Sequence, residues 1–307
     1  MLSSAAKEYM KVYGVLVGKK PLIFTNNDSG YETAIEFKKN GVNPLILDTR
    51  KEPSSDIITE AKNLGIEIKY SYVVVAAKGY KKVKSADIAK ISDNKKDLSN
   101  IENIECDCIC VSGFWTPSIH LASQSGNKSE FNEKIDAFIP KKSKQKENTI
   151  GSANGKFTLE ETINEAFNKG YEVSNKITEN NNKVSIPTVV EKKSTEHDKF
   201  WCVPLPKGKS YKRFLDFQND VAVTDIELAL REGFRSIEHV KRYTTLGMAT
   251  DQGKTSNLNG LQLVSDIENK VVPQVGHTTF RPPYTPVSIG AIVGREVGKH
   301  SKPTRKS

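Results

Sequence analysis

Several features are scarce in or missing from this 307-residue sequence, and each absence closes off a class of protein. No apolar run approaches the roughly 18–20 residues that a membrane-spanning helix needs. The opening Met1-Leu2-Ser3-Ser4-Ala5-Ala6-Lys7 has no apolar stretch of the kind that drives secretion. Cysteine is rare, four residues in all, and Cys106, Cys108 and Cys110 alternate along strand-like sequence. That spacing predicts all three on one face of a strand, where they do not readily pair with one another. The Cys-x-x-Cys knuckle of a zinc or iron–sulfur site is absent, so they read as small buried hydrophobes in a reducing, cytoplasmic compartment. The net charge of +9 invites a nucleic-acid reading. Aromatic residues are not interleaved with the scattered lysines, however, and no zinc-finger, homeodomain or RNA-recognition pattern occurs. Neither a nucleic acid nor a membrane is expected as a partner.

What is present is an α/β pattern of two-domain length. Lys20-Pro21-Leu22-Ile23-Phe24-Thr25 reads as a strand, and Asn26-Asn27-Asp28-Ser29-Gly30 is turn and capping chemistry. Helical spacing over 31–39 closes at Asn40-Gly41, and the strand-like 44–47 ends in Asp48. Strand, polar turn, helix and strand make a βαβ unit. A further helix over 54–64, strand-like runs at 66–68, 72–76 and 106–111, and a helix over 158–168 predict a largely parallel sheet covered on both faces. The stretch 172–198, with Asn180-Asn181-Asn182, reads as a polar linker. Helices follow at 224–232, 236–243 and 256–269. The remainder is Pro-rich, then basic, with too few apolar residues to close a core.

In such a sheet a dinucleotide's pyrophosphate rests on the turn after the first strand, at the helix N-terminus. The glycine fingerprint Gly-x-Gly-x-x-Gly is missing there, and only Gly30 keeps its place. Asn26, Asn27 and Ser29 offer hydrogen-bonding groups instead, though a capped helix without any ligand explains the same residues. Asp48, about 20 residues past the loop, suits a ribose hydroxyl. A strand-end Asp in a surface turn is the plainer account, and Arg50 could meet a 2′-phosphate or pair with Asp48. His239 reads as a surface or packing histidine on a basic helix. The string from Gly247 to Gly253-Lys254-Thr255 has five residues between its glycines and follows a helix, so it is no phosphate loop.

A longer resemblance runs through the chain. Asp216-Phe217-Gln218-Asn219-Asp220 and the string from Arg231-Glu232-Gly233-Phe234-Arg235 through Gly247-Met248-Ala249-Thr250-Asp251-Gln252-Gly253-Lys254-Thr255-Ser256-Asn257 resemble the alpha subunit of the heterotetrameric sarcosine oxidase family. So do Phe24 to Ser29, Val111 to Pro117, His120 to Gly126, Ala153-Asn154-Gly155 and Thr278 to Val287. The resemblance implies the central part of a longer subunit, with a Gly-rich fingerprint before Met1 and most of a folate domain after Ser307.

The implied organisation is a partial FAD/NAD(P)-binding α/β domain over 1–172, as in two-dinucleotide flavoproteins, and a polar linker over 173–199. A helical module over 200–278 resembles bacterioferritin-associated ferredoxin. The start of an aminomethyltransferase-like, folate-binding domain covers 279–307. The module's cluster positions read Asp216, Gln218, Asp251 and Ser256, none of them a thiolate, so no iron–sulfur cluster is expected.

The resemblance further implies oxidative demethylation of sarcosine in a complex with beta, gamma and delta subunits. NAD would be held by the alpha subunit, FAD and FMN by the beta subunit, and tetrahydrofolate by the folate domain. Thr25, Asn26, Asn27, Asp28 and Asp48, with Ser112, Gly113 and Ala153-Asn154-Gly155, are the residues it places toward a cofactor. No catalytic residue and no metal ligand stands out. A non-catalytic scaffold that only packs against partner subunits is the alternative.

Overall fold

Apolar runs bounded by turn chemistry build the sheet that positions the candidate site. The computed structural model describes residues 1–178, 185–189, 196–278, 280, 285, 287–288, 291–292 and 294. It divides into two compact units, Met1–Thr116 with Ile150–Arg213, and Pro117–Thr149 with Phe214–Ser307.

The first unit opens with helix α1 (Ser3–Tyr13), strand β1 (Pro21–Thr25), α2 (Ser29–Lys39), β2 (Leu45–Asp48), α3 (Asp56–Asn63) and β3 (Glu67–Tyr70). An antiparallel meander of β4 (Tyr72–Gly79), β5 (Val83–Lys90) and β6 (Glu102–Glu105) precedes β7 (Cys108–Ser112). The main sheet has the order β3-β2-β1-β7 and is parallel throughout. The direction of crossover reverses at β1, so the carboxyl ends of β1 and β7 flank the crevice where open α/β sheets take their ligands.

Strand alternation sends Ile23, Ile46, Cys108 and Cys110 into one core with Ala6 and Met10 of α1, Tyr31, Ala34 and Phe37 of α2, and Ile58 of α3. Leu22 and Leu47 face the opposite way and pack with Ala86, Ile88 and Cys106. Both faces are therefore covered, one by helices and the other by the meander. The run at 72–76 belongs to that antiparallel layer.

Cys106 departs from the expected shared face. The chain bends at Asp107, whose carboxylate accepts the Lys19 and Lys20 amide N–H groups, each at 2.8 Å. That interruption before β7 breaks the two-residue alternation. Cys106 thus joins the meander core while Cys108 and Cys110 join the helical one.

The chain next supplies α4 (His120–Gln124) and the hairpin β8 (Ser129–Asn132) and β9 (Ala137–Pro140) to the second unit. It returns to the first unit through a 3-10 turn, Gly151–Asn154, and α5 (Leu159–Thr178), which outruns the helix predicted over 158–168. Residues 179–184 and 190–195 of the polar stretch lie outside the described residues.

The rest of the second unit is β10 (Phe214–Asp216), β11 (Val221–Ala222), α6 (Val223–Arg231), α7 (Ile237–Thr244), α8 (Asn257–Glu268) and α9 (Val272–Val275). These helices follow the predicted ones closely, because each carries its own stop signal. Val223, Ile226, Leu230, Val240, Leu246 and Leu261 are buried. The stretch 279–307, read as the opening of a folate-binding domain, falls almost wholly outside the described residues. Among the described residues no helix is long and apolar enough to cross a membrane.

Candidate functional site

The carboxyl ends of β2, β1 and β7 bring together most of the residues singled out in the sequence. Asn26 donates its backbone N–H to the Ser112 carbonyl at 3.3 Å, and Thr49 donates to the Thr25 carbonyl at 3.0 Å. Asn27 braces the turn that leads through Asp28 into α2. Its Oδ1 accepts the Ser29 N–H at 2.9 Å and the Ser29 hydroxyl at 2.5 Å, while its amide nitrogen donates to the Gly113 carbonyl. The hydroxyls of Ser29 and Ser112 share a hydrogen bond at 2.7 Å, and Thr25 Oγ1 donates to the Asn27 carbonyl at 2.7 Å.

Gly30 retains the packing role of the fingerprint's last glycine. A Cβ at that position would lie 2.6 Å from Thr25 Cβ, so only glycine lets α2 approach β1 this closely. Counting back from Gly30, Thr25 and Asn27 stand where the fingerprint's other glycines would be.

Asp48 is fully buried, and Arg50 is paired with it. Tyr31 donates its hydroxyl to Asp48 Oδ2 at 2.7 Å, and Arg50 Nη2 donates to the same oxygen at 2.8 Å. Arg50 Nη1 donates to Asp28 Oδ1 at 2.8 Å, joining the strand end to the turn. Burial raises the Tyr31 pKa first and Asp48 raises it further. Burial works against the Arg50 charge, but Asp48 and then Asp28 outweigh it and raise its pKa. Of the two fates open to Arg50 in the sequence, pairing with Asp48 is the one the fold realises.

A segment that the sequence reading did not single out lies across this edge. Asp198 donates its N–H to the Asn26 carbonyl at 2.9 Å, and Asn26 Nδ2 donates to the Asp198 carbonyl at 2.9 Å. Thr49 Oγ1 donates to Asp198 Oδ2 at 3.0 Å, and Lys95 donates to Asp198 Oδ1. His197 bridges Asn27 in antiparallel fashion and stacks on Phe114 at 4.5 Å, while Trp201 meets Phe114 edge-on at 4.9 Å. In the turn that carries Ala153, Asn154 and Gly155, Glu165 of α5 accepts the Gly151 N–H and the Asn154 amide, each at 2.7 Å.

As arranged, these residues do not fit a dinucleotide at this edge. A side chain replaces the glycine that lets backbone approach the pyrophosphate. The Ser29 N–H and the Asn27 amide are already used within the protein, and the Asp198 carboxylate would repel phosphate.

In the second unit, two of the positions matched to cluster ligands, Asp216 and Asp251, hold turns by accepting backbone N–H groups. Asp216 is buried, and its carboxylate accepts the Gln218 N–H at 2.9 Å and the Gly247 N–H at 2.8 Å, tying two turns together. Asp251 accepts the Gly253 N–H at 3.0 Å. Asn257 Oδ1 sits so close to Gly247 and Gly253 that a Cβ at either would lie 2.1 Å from it, which explains both glycines without any phosphate. Among the described residues no cluster of His, Cys, Asp or Glu suits a metal ion. Burial pushes the Cys106 thiol up to about 11, and His239 lies exposed on α7.

Residues 210–295 match the family model of the sarcosine oxidase A3 domain. The chain is 34% identical to the sarcosine oxidase subunit alpha of Rhizobium meliloti (strain 1021), over 100% of its own length and 30% of that relative's. Throughout its length, the chain is homologous to sarcosine oxidase alpha subunits. The subunit alpha of Corynebacterium sp. (strain U-96) is 31% identical over 99% of this chain and 32% of its own length. The chain thus spans about a third of these sarcosine oxidase relatives. Among solved structures, an L-proline dehydrogenase from P. horikoshii shares the fold, with a TM-score of 0.52 and 19% identity over 93% of this chain and 52% of that one.

Proposed function

We propose that this chain works as the A3-containing central section of an alpha subunit in a sarcosine-oxidase-type oxidoreductase, and that it is active only in the assembled complex. The observation that carries the reading is homology to sarcosine oxidase alpha subunits over 99–100% of the chain. The complex would oxidise sarcosine to glycine on a flavin of its beta subunit, using FAD and FMN, with oxygen becoming hydrogen peroxide. The methyl carbon would pass to tetrahydrofolate. In this chain the parallel sheet and the A3 module would serve as subunit framework. As arranged these residues do not fit NAD, so Thr25, Asn26, Asn27, Asp28, Ser112 and Gly113 would face it only in a rearranged edge. The cytoplasm is the expected setting.

The test is co-expression of the tagged chain with beta-, gamma- and delta-type subunits. Co-purification of a flavin-bearing subunit, with sarcosine-dependent peroxide release that requires this chain, supports the proposal. A chain that stays monomeric beside those subunits sinks it. A non-catalytic scaffold is the second reading, favoured by the engagement of Asp198 across the crevice.

A further inference from the structure

The crevice at the carboxyl ends of β1 and β2 is filled by the chain's own residues 196–201. Asp198 is the anchor. Its side chain is 15% exposed, and it makes contacts on three sides: Asn26 through both backbone groups, Thr49 through its hydroxyl, and Lys95 through its ammonium. Lys95 also donates to the Lys199 carbonyl at 3.3 Å. Thr49 follows β2 directly, the position from which α/β sheets of this order read the adenosine ribose and its substituents.

The charges around the anchor have a consequence. Asp28 and Asp48 are already satisfied by Arg50, so they leave no surplus cation at the crevice. Among the described residues, Lys95 forms its ion pair with Asp198. If Asp198 withdraws, the Lys95 ammonium and the Thr49 hydroxyl are left around the place of its carboxylate, and the Asn26 amide, which holds the Asp198 main-chain carbonyl, is released beside them. Such a set recognises an anion, and its position at the end of β2 suits one carried on adenosine.

We propose that residues 196–201 are a strap in which the Asp198 carboxylate occupies, in place of a ligand phosphate, a latent adenosine-phosphate site built from Thr49 and Lys95, with Asn26 holding the strap's main chain beside it. While the strap is seated the site is closed, and releasing it makes the site available. The proposal stands apart from the assembly reading, because it concerns a crevice within this chain and is tested without partner subunits.

The experiment titrates the full chain with ADP by calorimetry and follows Trp201 fluorescence in a Trp115→Phe background. Asp198→Asn removes the anchoring charge, and Lys95→Ala removes its partner from a half-exposed position where folding is not at stake. The apparent affinity of a closed site rises by the factor by which the open population rises. Asp198→Asn is therefore expected to bind ADP on the order of tenfold or more tightly than the parent chain, with a shifted Trp201 signal. Lys95→Ala is expected to shift Trp201 in the same way while gaining less affinity, since it also loses the cation. Equal ADP affinity in the parent and Asp198→Asn overturns the proposal, as does a released strap with no ADP binding. An unchanged Trp201 signal in both variants overturns it too, because Asp198 would then not be the anchor. Pyrophosphate binding as tightly as ADP would overturn the adenosine part of the assignment.

Discussion

Tyr31 and Asp48, both fully buried, meet through a 2.7 Å hydrogen bond from the tyrosine hydroxyl to Oδ2. Asp48 also receives Arg50, so an acid with no access to water is held by a neutral donor and a cation. The arrangement makes Asp48 a tie between the end of β2 and the first turn of α2. It follows that loss of its partners will be felt in stability before anything else.

Arg50→Ala strands a buried carboxylate and is expected to cost roughly 3–5 kcal/mol of unfolding free energy. Tyr31→Phe removes one hydrogen bond and should cost about 1–3 kcal/mol. Urea unfolding followed by far-UV circular dichroism measures both. A change below about 0.5 kcal/mol for Arg50→Ala would show that Asp48 does not rely on it.

Gly30→Ala drives a Cβ to within 2.6 Å of Thr25 Cβ, which forces α2 away from β1. The expected loss is about 1–3 kcal/mol, the usual cost of overpacking. Placing Gly30→Ala in a Thr25→Gly background should recover part of that loss relative to Thr25→Gly alone. A double-mutant cycle with no coupling would refute the close approach.

In the second unit, Asp216→Ala frees the Gln218 and Gly247 amides together, and a loss of roughly 1.5–3 kcal/mol is expected for hydrogen bonds to a charged acceptor. Asp216→Cys should not recruit an iron–sulfur cluster, because Gln218, Asp251 and Ser256 supply no soft sulfur ligand. Visible absorption after anaerobic reconstitution with iron and sulfide checks this, and stoichiometric cluster uptake would contradict it.

His120 supplies a pH dependence. Burial, assisted by Lys254, lowers its pKa from 6.5 to about 4. Between those values the unfolded chain binds a proton there that the folded chain does not. Stability from this group is therefore complete above about pH 6.5 and is lost as pH falls toward 4. Unfolding midpoints of the second unit should decline across that window, and His120→Phe should flatten the decline. Parallel pH profiles for the two proteins would show that another group is responsible.

The local elements and one part of the site were legible in the residues themselves. Apolar runs and their stop signals mark β1, α2, β2 and helices α6 to α8, because such signals act within a few residues of the structure they create. The Asp48–Arg50 pair, two residues apart, was one of two fates the sequence left open for Arg50, and the fold chose between them. Once the resemblance to the ferredoxin module marks Asp216, Gln218, Asp251 and Ser256 as the cluster positions, the missing thiolates are plain from their residue types.

What covers the sheet and what fills its crevice came from long-range folding. A single bend at Asp107 reverses the side-chain parity and sends Cys106 to the opposite core from Cys108 and Cys110, a change that periodicity cannot anticipate. The strap is more remote still. Asp198 meets Thr49 across 149 positions of sequence and Asn26 across 172. Nothing in the polar segment around it signals a partner, because a carboxylate in such sequence serves equally well in water. Its role comes from the closing of the chain over the ends of β1 and β2, where Thr49 and Lys95 replace that water and Asn26 holds the main chain.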